Sequence, residues 1–545
     1  MSSSEISSKP DGKADDALNS QEAVNKIAKT LEKSHYSFLD LRTAQGQILF
    51  LLISIALSVL IQSLPNGTFT SVFNQEIPTH GHVTETVRHE CNKTPTTASA
   101  PIKRPTYWIF GKSENEAHLK HVKNVLQRLG YEKVTNETTD WDLLWAHDYP
   151  FRVLYPKLHH LKVHQKVNHF PGCGFITNKV DLATTDLEFI PKAFRLPEDR
   201  EKFIAYAEKY PEKMFVQKHN QHRHINIKPV KEINYNDNDT FVQEYVDNPL
   251  LVDGHKFDIG VYVIITSVDP LRVYIYKGDI LFRYCPQKYH PFDPKNVDKY
   301  IVGDDYLPVW DIPSLAPFYN GFGFGMKHSF DAYIRSKNRD PNGIWIQVEE
   351  AIRQTLLNKE KHIINALKNY RHKRNFFEMM RFDLIVDDNL RVYLMEANMS
   401  PNLSSAHFQQ NTLLYEQVIY NLMNLVGIGS SIHRESLRTQ TTDAEQMMSA
   451  DKNIAVHAEH CTSDMCVESC ELPECELCRP CLSAQDISDL HMAYREHVNR
   501  GETKRIFPVP IISGKSADLS ELNANNQKMS RWFAGKCAME SIWCS

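Results

Sequence analysis

Two acidic side chains and one amide in the segment 375–405 have types and a spacing that suit a divalent metal ion. If this segment forms a β-hairpin, Asp383 and Glu396 share one face as diagonal neighbours, about 7–8 Å apart at the backbone. A single ion could then bridge the two carboxylates, with the side-chain oxygen of Asn398 as a third hard ligand. The chemistry that this arrangement predicts is a Mg²⁺ site that holds a nucleotide. The alternative is that the acids lie on a solvated strand face.

The hairpin is predicted by the alternation of residue types. Residues 381–387 and 390–397 alternate aliphatic with polar side chains, and Asp388-Asn389 between them suits a tight two-residue turn. A slip of one residue in the pairing would move Asp383 to the other face and remove the site. The metal site therefore depends on the register of the hairpin.

The same hairpin carries a motif that resembles the closing motif of the tubulin–tyrosine ligase-like family. It reads Phe-Asp-x-x-x-Asp from Phe382 and Leu-Met-Glu-Ala-Asn-x-Ser-Pro from Leu394. Segments further upstream are also similar to that family, namely 168–172 with Lys179, 242–246, 249–251 and 256–263. The resemblance covers about residues 105–425, in order. It implies an α/β (α+β) fold class with an ATP-grasp-type ligase fold after a small α/β domain.

The resemblance also implies ATP and Mg²⁺ as cofactors. Lys218 corresponds to a lysine that contacts phosphate, and Lys256 and Asp258 to a pair that contacts the phosphate or ribose of ATP. These two residues are two apart in one strand and so share a face. Further along the chain, the resemblance implies that Gln243, Tyr245 and Val246 contact the edge of the adenine through the backbone.

The resemblance implies two catalytic residues, Arg283 and Glu396. Arg283 matches an arginine that positions the carboxylate of the amino-acid substrate, for which a planar guanidinium fork is well suited. Glu396 would act as a direct metal ligand, together with Asp383 and Asn398.

Three departures from the family pattern count against catalysis. The family has an arginine where this chain has Gly260, and that arginine would face the developing acyl phosphate. We therefore expect a gap beside Lys256 and Asp258. Gly260→Arg should then raise the rate of glutamate transfer. The loop 219–225 contains no glycine that would let the backbone close on phosphates. The segment 290–295 replaces an expected His-Leu-Thr-Asn loop.

Two classes of function remain open on these grounds. The first is an ATP-dependent ligase that activates a carboxylate as an acyl phosphate and joins glutamate to a glutamate-rich tail such as that of tubulin. The second is a catalytically impaired, membrane-anchored pseudo-ligase that binds a nucleotide or a protein. A formal net charge of −5 gives no general attraction to nucleic acid, so we expect no nucleic-acid partner.

A chain of 545 residues with 42% hydrophobic content is long enough for two or three domains. We predict a polar tail and a transmembrane helix, then a stalk, the ligase-like domain and a Cys-rich tail. Their bounds are 1–47, 48–64, 65–104, 105–430 and 431–545, and the parts of the ligase-like domain are 105–197, 198–285 and 286–430.

The segment 48–64 carries no charge and predicts a single-pass membrane protein. Lys and Arg precede it and are absent after it until Arg88, which puts the N-terminus in the cytosol and the rest in the lumen. Glycosylation sequons fit that side, and they begin at Asn66, Asn92, Asn136 and Asn238. A tubulin substrate requires the cytosolic side instead, so the side of the ligase-like domain stays open.

Most of the eleven cysteines lie beyond the ligase-like region. Six crowd into the segment 461–481, and Cys537 and Cys544 lie near the end. They suit a disulfide-linked module if they are luminal and a zinc cluster around 475–481 if they are cytosolic. The absence of a clean four-ligand spacing favours disulfides.

Overall fold

The computed structural model describes residues 104–111, 116–134, 140–219, 225–238, 240–439, 442–511 and 518–545. The predicted tail, the predicted transmembrane helix and the stalk up to residue 103 lie outside these ranges. So do the sequons at Asn66, Asn92 and Asn136, and residues 220–224 of the loop that lacks glycine. The described part of the chain therefore begins at the predicted ligase-like domain.

The strands are numbered in chain order along the described residues. They are β1 (Thr106–Phe110), β2 (Glu132–Lys133), β3 (Leu143–Ala146), β4 (Lys166–Val167), β5 (Ala193–Leu196), β6 (Phe215–His219), β7 (Asn226–Lys228), β8 (Thr240–Glu244), β9 (Phe257–Val268), β10 (Leu271–Tyr276), β11 (Leu281–Tyr284), β12 (Glu378–Val386), β13 (Val392–Asn398) and β14 (Thr503–Phe507).

The α-helices are numbered in the same way. They are α1 (Glu116–Arg128), α2 (Tyr155–Leu158), α3 (Gly174–Thr177), α4 (Lys179–Ala183), α5 (Arg200–Lys209), α6 (Met326–Ser336), α7 (Asn342–Leu367), α8 (Asn411–Leu425), α9 (Ser431–Thr439), α10 (Thr442–Met448), α11 (Asp451–Ile454), α12 (Ala458–Cys461), α13 (Asp464–Glu468), α14 (Ala484–Val498) and α15 (Ala524–Met539).

The central sheet is antiparallel and carries most of the residues that matter for function. Its order is β13-β12-β9-β10-β14, and β11 also pairs with β9. Strands β9 and β12 are buried along almost their whole length, because helix α7 packs against both of them and helix α8 packs against β9. Strand β12 nevertheless carries Glu378, Arg381 and Asp383 among its apolar residues.

Two smaller sheets complete the fold. The N-terminal one is parallel, in the order β2-β1-β3-β4. The other is antiparallel, in the order β5-β8-β6-β7, and packs on α5 through an aromatic core around Phe194, Phe203 and Phe215. The predicted mixed α/β fold class is confirmed.

The predicted hairpin is present, but its register and turn differ from the prediction. Asp383 lies directly opposite Glu396 and not diagonal to it, and the ladder is irregular after Asp383. The turn is longer than two residues, because the Asp387 side chain accepts hydrogen bonds from the backbone N–H groups of Asn389 and Arg391. Leu390, which we predicted in the second strand, lies in this turn with a left-handed backbone, φ +63°.

The region beyond residue 430 packs on the central sheet. Strand β14 pairs with β10 in antiparallel register, with Tyr276 opposite Thr503. Helix α14 brings Glu496 to Arg272 of β10, where the two side chains form a buried ion pair at 2.8 Å. The predicted Cys-rich tail therefore supplies a strand and a buried charge to the core, while the predicted domain bounds stay a prediction.

The eight C-terminal cysteines are paired as disulfides. Three bridges link the residues of the segment 461–481, and the fourth lies near the C-terminus. The pairs are Cys461–Cys478, Cys466–Cys475, Cys470–Cys481 and Cys537–Cys544. Of the two alternatives that the sequence left open, the structure has the disulfide module.

The predicted localisation as a single-pass membrane protein needs correction. Among the helices that the structure describes, none is long and apolar enough to cross a membrane. The longest of them, α7, has the length but carries acidic and basic residues throughout, such as Glu349, Arg353 and Lys359. The segment 48–64, on which the prediction rested, lies outside the described residues.

Candidate active site

The predicted site residues converge on a cavity of about 500 Å³ that is lined by strands of two sheets. The smaller antiparallel sheet contributes Lys218 from β6 and Glu244 from β8, with Tyr245 directly after β8, and strands β9, β11, β12 and β13 of the central sheet contribute further charged side chains. The predicted residues that line this cavity are Lys218, Tyr245, Val246, Lys256, Asp258, Arg283, Asp383 and Glu396.

Two predicted residues lie next to this cavity and not in its wall. Gln243 is buried within β8, and its side-chain oxygen accepts a hydrogen bond from Lys218 Nζ at 2.9 Å. Asn398 lines an adjoining cavity of about 240 Å³, and its amide nitrogen donates to Asp383 Oδ2 at 3.0 Å. Gln243 thus orients a lysine, and Asn398 keeps its carbonyl oxygen for another partner.

The donor set at the hairpin fits Mg²⁺. Asp383 and Glu396 are cross-strand partners, and with the Asn398 carbonyl they offer only hard oxygen ligands, as Mg²⁺ prefers. Glu396 accepts a hydrogen bond from Lys179 Nζ at 3.0 Å. This lysine and the metal would therefore share the Glu396 carboxylate.

Asp258 and Asp383 both lie beside guanidinium groups, but their pKa values are shifted in opposite directions. Burial raises the pKa of Asp258 above its ordinary value, although Arg283 forms a two-point ion pair with it at 2.7 and 2.9 Å. Burial acts in the same direction on Asp383, but Arg381 and Arg283 outweigh it and lower the pKa of that carboxyl. Asp383 is therefore held as the charged form that a metal needs.

The two predicted phosphate lysines are buried or half-buried, and each lies over an aromatic ring. Lys256 lies over the Tyr245 ring, with Nζ 4.8 Å from its centroid, and Lys218 lies over the Phe241 ring at 5.9 Å. Burial lowers the pKa of each lysine from 10.5 to about 8. Near neutral pH both are cations with few protein partners, so each can bind a phosphate strongly.

Sequence reasoning missed part of the wall. Lys179 and Arg381 line the cavity, as does the segment 300–304, which follows the departure at 290–295. The position of Arg381, two residues before Asp383 in an alternating strand, was a usable signal, because it puts both side chains on one face. Nothing local to 300–304 indicates that this loop returns to the site.

ATP affinity should fall as the pH rises from 7 to 9.5, because Lys218 and Lys256 lose their protons around pH 8. Bound phosphate favours the cationic forms, so binding at pH 8.5 should take up protons. Calorimetry in buffers of different ionisation enthalpy measures this uptake, and Lys256→Met should reduce it. Constant affinity without proton uptake over this range would contradict the assignment of both lysines.

Comparisons with known proteins give one consistent result. Residues 157–435 match the model of the tubulin-tyrosine ligase family. The probable tubulin polyglutamylase ttll-15 of Caenorhabditis elegans is 41% identical over 458 residues, which cover 81% of this chain and 87% of that protein. Tubulin polyglutamylase TTLL6 of Mus musculus is 29% identical over 341 residues, 58% of this chain and 40% of that protein. Tubulin monoglutamylase TTLL4 of Mus musculus is 27% identical over 326 residues, 56% of this chain and 27% of its own length.

Proposed function

Because the chain belongs to the tubulin-tyrosine ligase family, we propose that it is an ATP-dependent ligase that joins glutamate to glutamate side chains of tubulin or of a similar acidic protein tail. The relatives with this activity in their names include both polyglutamylases and a monoglutamylase. The observation that carries the proposal is the convergence of lysines, arginines and carboxylates on one cavity.

ATP takes the larger cavity in this proposal. Lys218 and Lys256 hold its phosphates as two desolvated cations, and Tyr245 with Val246 borders the base. The metal ligands are Asp383, Glu396 and Asn398, and bound Mg²⁺ supplies neutralisation of the phosphate charge. Lys179, within hydrogen-bond distance of Glu396, keeps that ligand turned toward the cavity.

The amino acid and its acceptor take the smaller cavity, which shares Arg283 and Glu396 with the larger one. An oxygen of the acceptor carboxylate attacks the terminal phosphorus of ATP, the bond to the bridging oxygen breaks, and ADP leaves. The amine of free glutamate then attacks the acyl carbon, the bond to phosphate breaks, and the amine proton passes to solvent. Arg283 at the junction of the cavities is suited to hold a substrate carboxylate.

The alternative is a pseudo-ligase that binds a nucleotide or protein without transfer, for which Gly260 and the altered loops 219–225 and 290–295 were the arguments. The predicted gap at Gly260 is not empty, because the Arg381 side chain fills it. An arginine therefore lies where its absence was expected, which favours the ligase.

The test uses the full chain with ATP, Mg²⁺, glutamate and a peptide with the acidic sequence of a tubulin tail. ADP formation should require both glutamate and the peptide, and mass spectrometry should find peptide that has gained glutamate residues. A peptide with Gln at every Glu position is the matched control and should stay unmodified. ATP binding without turnover under all these conditions would favour the pseudo-ligase instead.

A further inference from the structure

The Arg381 side chain fills the space that a side chain at position 260 would need. The two residues lie on the neighbouring strands β9 and β12, where Gly260 pairs with Asp383 and Arg381 pairs with Tyr262. A Cβ atom built on Gly260 would lie 2.9 Å from Arg381 Cδ and 3.3 Å from its Nε. A side chain at position 260 and the present position of Arg381 therefore exclude each other.

The Arg381 guanidinium is fixed in a buried position at the junction of the two cavities. Its side chain is 8% exposed and lines both cavities. Nε donates to Asp383 Oδ1 at 2.6 Å and Nη2 donates to Asp383 Oδ2 at 2.9 Å. This two-point pair orients the guanidinium and uses one edge of it, which leaves Nη1 for a ligand.

We propose that Arg381 is a catalytic residue that contacts the transferred phosphoryl group, and that Gly260 is the residue that makes room for it. This inference rests on the proposed function. The phosphoryl group must pass from the nucleotide cavity to a carboxylate in the smaller cavity, and Arg381 lies in the wall of both. A guanidinium fixed at that junction stabilises the negative charge on the phosphoryl oxygens during transfer.

The space shared by Gly260 and Arg381 makes a reciprocal exchange possible. Arg381→Gly removes the guanidinium. Gly260→Arg forces two arginines into one volume, so it should lower the rate and not raise it as the sequence alone predicted. In the double variant Gly260→Arg/Arg381→Gly, an arginine side chain enters the junction of the two cavities from β9, beginning where the Arg381 side chain now lies. If the charge at this place is what matters, the double variant regains activity that each single variant has lost, a coupling that a double-mutant cycle measures directly.

The experiment compares the parent, both single variants and the double variant in the glutamate-transfer assay. Each single variant should lower kcat by about 10²–10³-fold, with ATP affinity changed by less than about threefold. The kcat of the double variant should be at least about tenfold higher than that of either single variant. Arg391→Ala in the same hairpin, where the arginine is 48% exposed, is the matched control and should keep parental kcat.

A second measurement separates this inference from the proposed function. Binding of ADP with Mg²⁺ and aluminium fluoride, which imitates the phosphoryl group in transfer, should be much tighter than binding of ADP with Mg²⁺ alone. Arg381→Gly should lose this difference, and the double variant should regain it, with the unliganded melting temperatures as a check on folding. A parent without transfer activity contradicts the proposed function, whereas an Arg381→Gly variant that still prefers the fluoride complex overturns the role of Arg381.

Discussion

Replacement of Glu396 by Gln is expected to abolish Mg²⁺-dependent ATP binding and glutamate transfer. The amide has the same shape but no charge, so it is a poor metal ligand and a poor partner for Lys179. A metal that neutralises phosphate stabilises the transition state by several kcal/mol, so loss of the metal should lower the rate of glutamate transfer by more than about 10²-fold. Calorimetry with ATP, with and without Mg²⁺, measures the effect on binding.

The control for this prediction is Asp388→Asn in the turn of the same hairpin. The Asp388 side chain is 74% exposed, and its nearest cation, Arg339, is 3.8 Å away. This variant should bind ATP as the parent does, and both variants should melt within a few degrees of the parent without ligand. Equal ATP affinity in Glu396→Gln and the parent would show that Glu396 is not a metal ligand.

The second large effect is expected at the ion pair that joins the C-terminal region to the central sheet. The Glu496 carboxylate accepts hydrogen bonds from Arg272 Nε and Nη2 at 2.8 and 3.0 Å, from the Thr266 hydroxyl at 2.8 Å and from the Tyr274 hydroxyl at 3.2 Å. Both charged side chains are at most 3% exposed. Glu496→Ala leaves the Arg272 cation buried without its counter-ion, which should cost about 3–5 kcal/mol of unfolding free energy.

Denaturant unfolding of the full chain checks this value. The double variant Arg272→Met/Glu496→Leu removes both charges and replaces them with apolar side chains of similar size, so it should be markedly more stable than Glu496→Ala. A loss below about 1 kcal/mol in Glu496→Ala would mean that water reaches Arg272 when the carboxylate is gone. The C-terminal region would then contribute little to the stability of the sheet.

Local patterns in the sequence predicted the hairpin and the meeting of Asp383 with Glu396, because alternation with period two fixes which side chains share a face. They did not predict the turn. The Asp387 side chain binds two backbone N–H groups and so lengthens the turn by one register step. The irregularity between Asp383 and Leu384 adds a second step, and together the two steps place the carboxylates of Asp383 and Glu396 directly opposite each other. A side-chain cap of this kind competes with the tight turn that the residue types favour.

The relation between Gly260 and Arg381 was beyond the reach of any local pattern. It depends on how β9 lies beside β12, and these strands are far apart in the sequence. Resemblance to a family identified the missing arginine at position 260, but only the three-dimensional arrangement shows a guanidinium that enters the same volume from the next strand. The pairing of β14 with β10 was missed because these strands are also far apart in the sequence. In addition, Thr503–Phe507 is short and contains two basic residues, so its sequence gives a weak strand signal.

Strand β14 also has a consequence for biosynthesis. The residues of β10 are synthesised long before those of β14. Until β14 has left the ribosome, the backbone groups of Val273–Tyr276 that pair with it lack that partner at the sheet edge. An open edge of this kind can pair with other chains and lead to aggregation. A fragment that stops at residue 430 would keep that open edge permanently, although it includes the predicted ATP-binding residues. The shortest soluble enzyme is therefore expected to need the C-terminal residues that take no part in its chemistry.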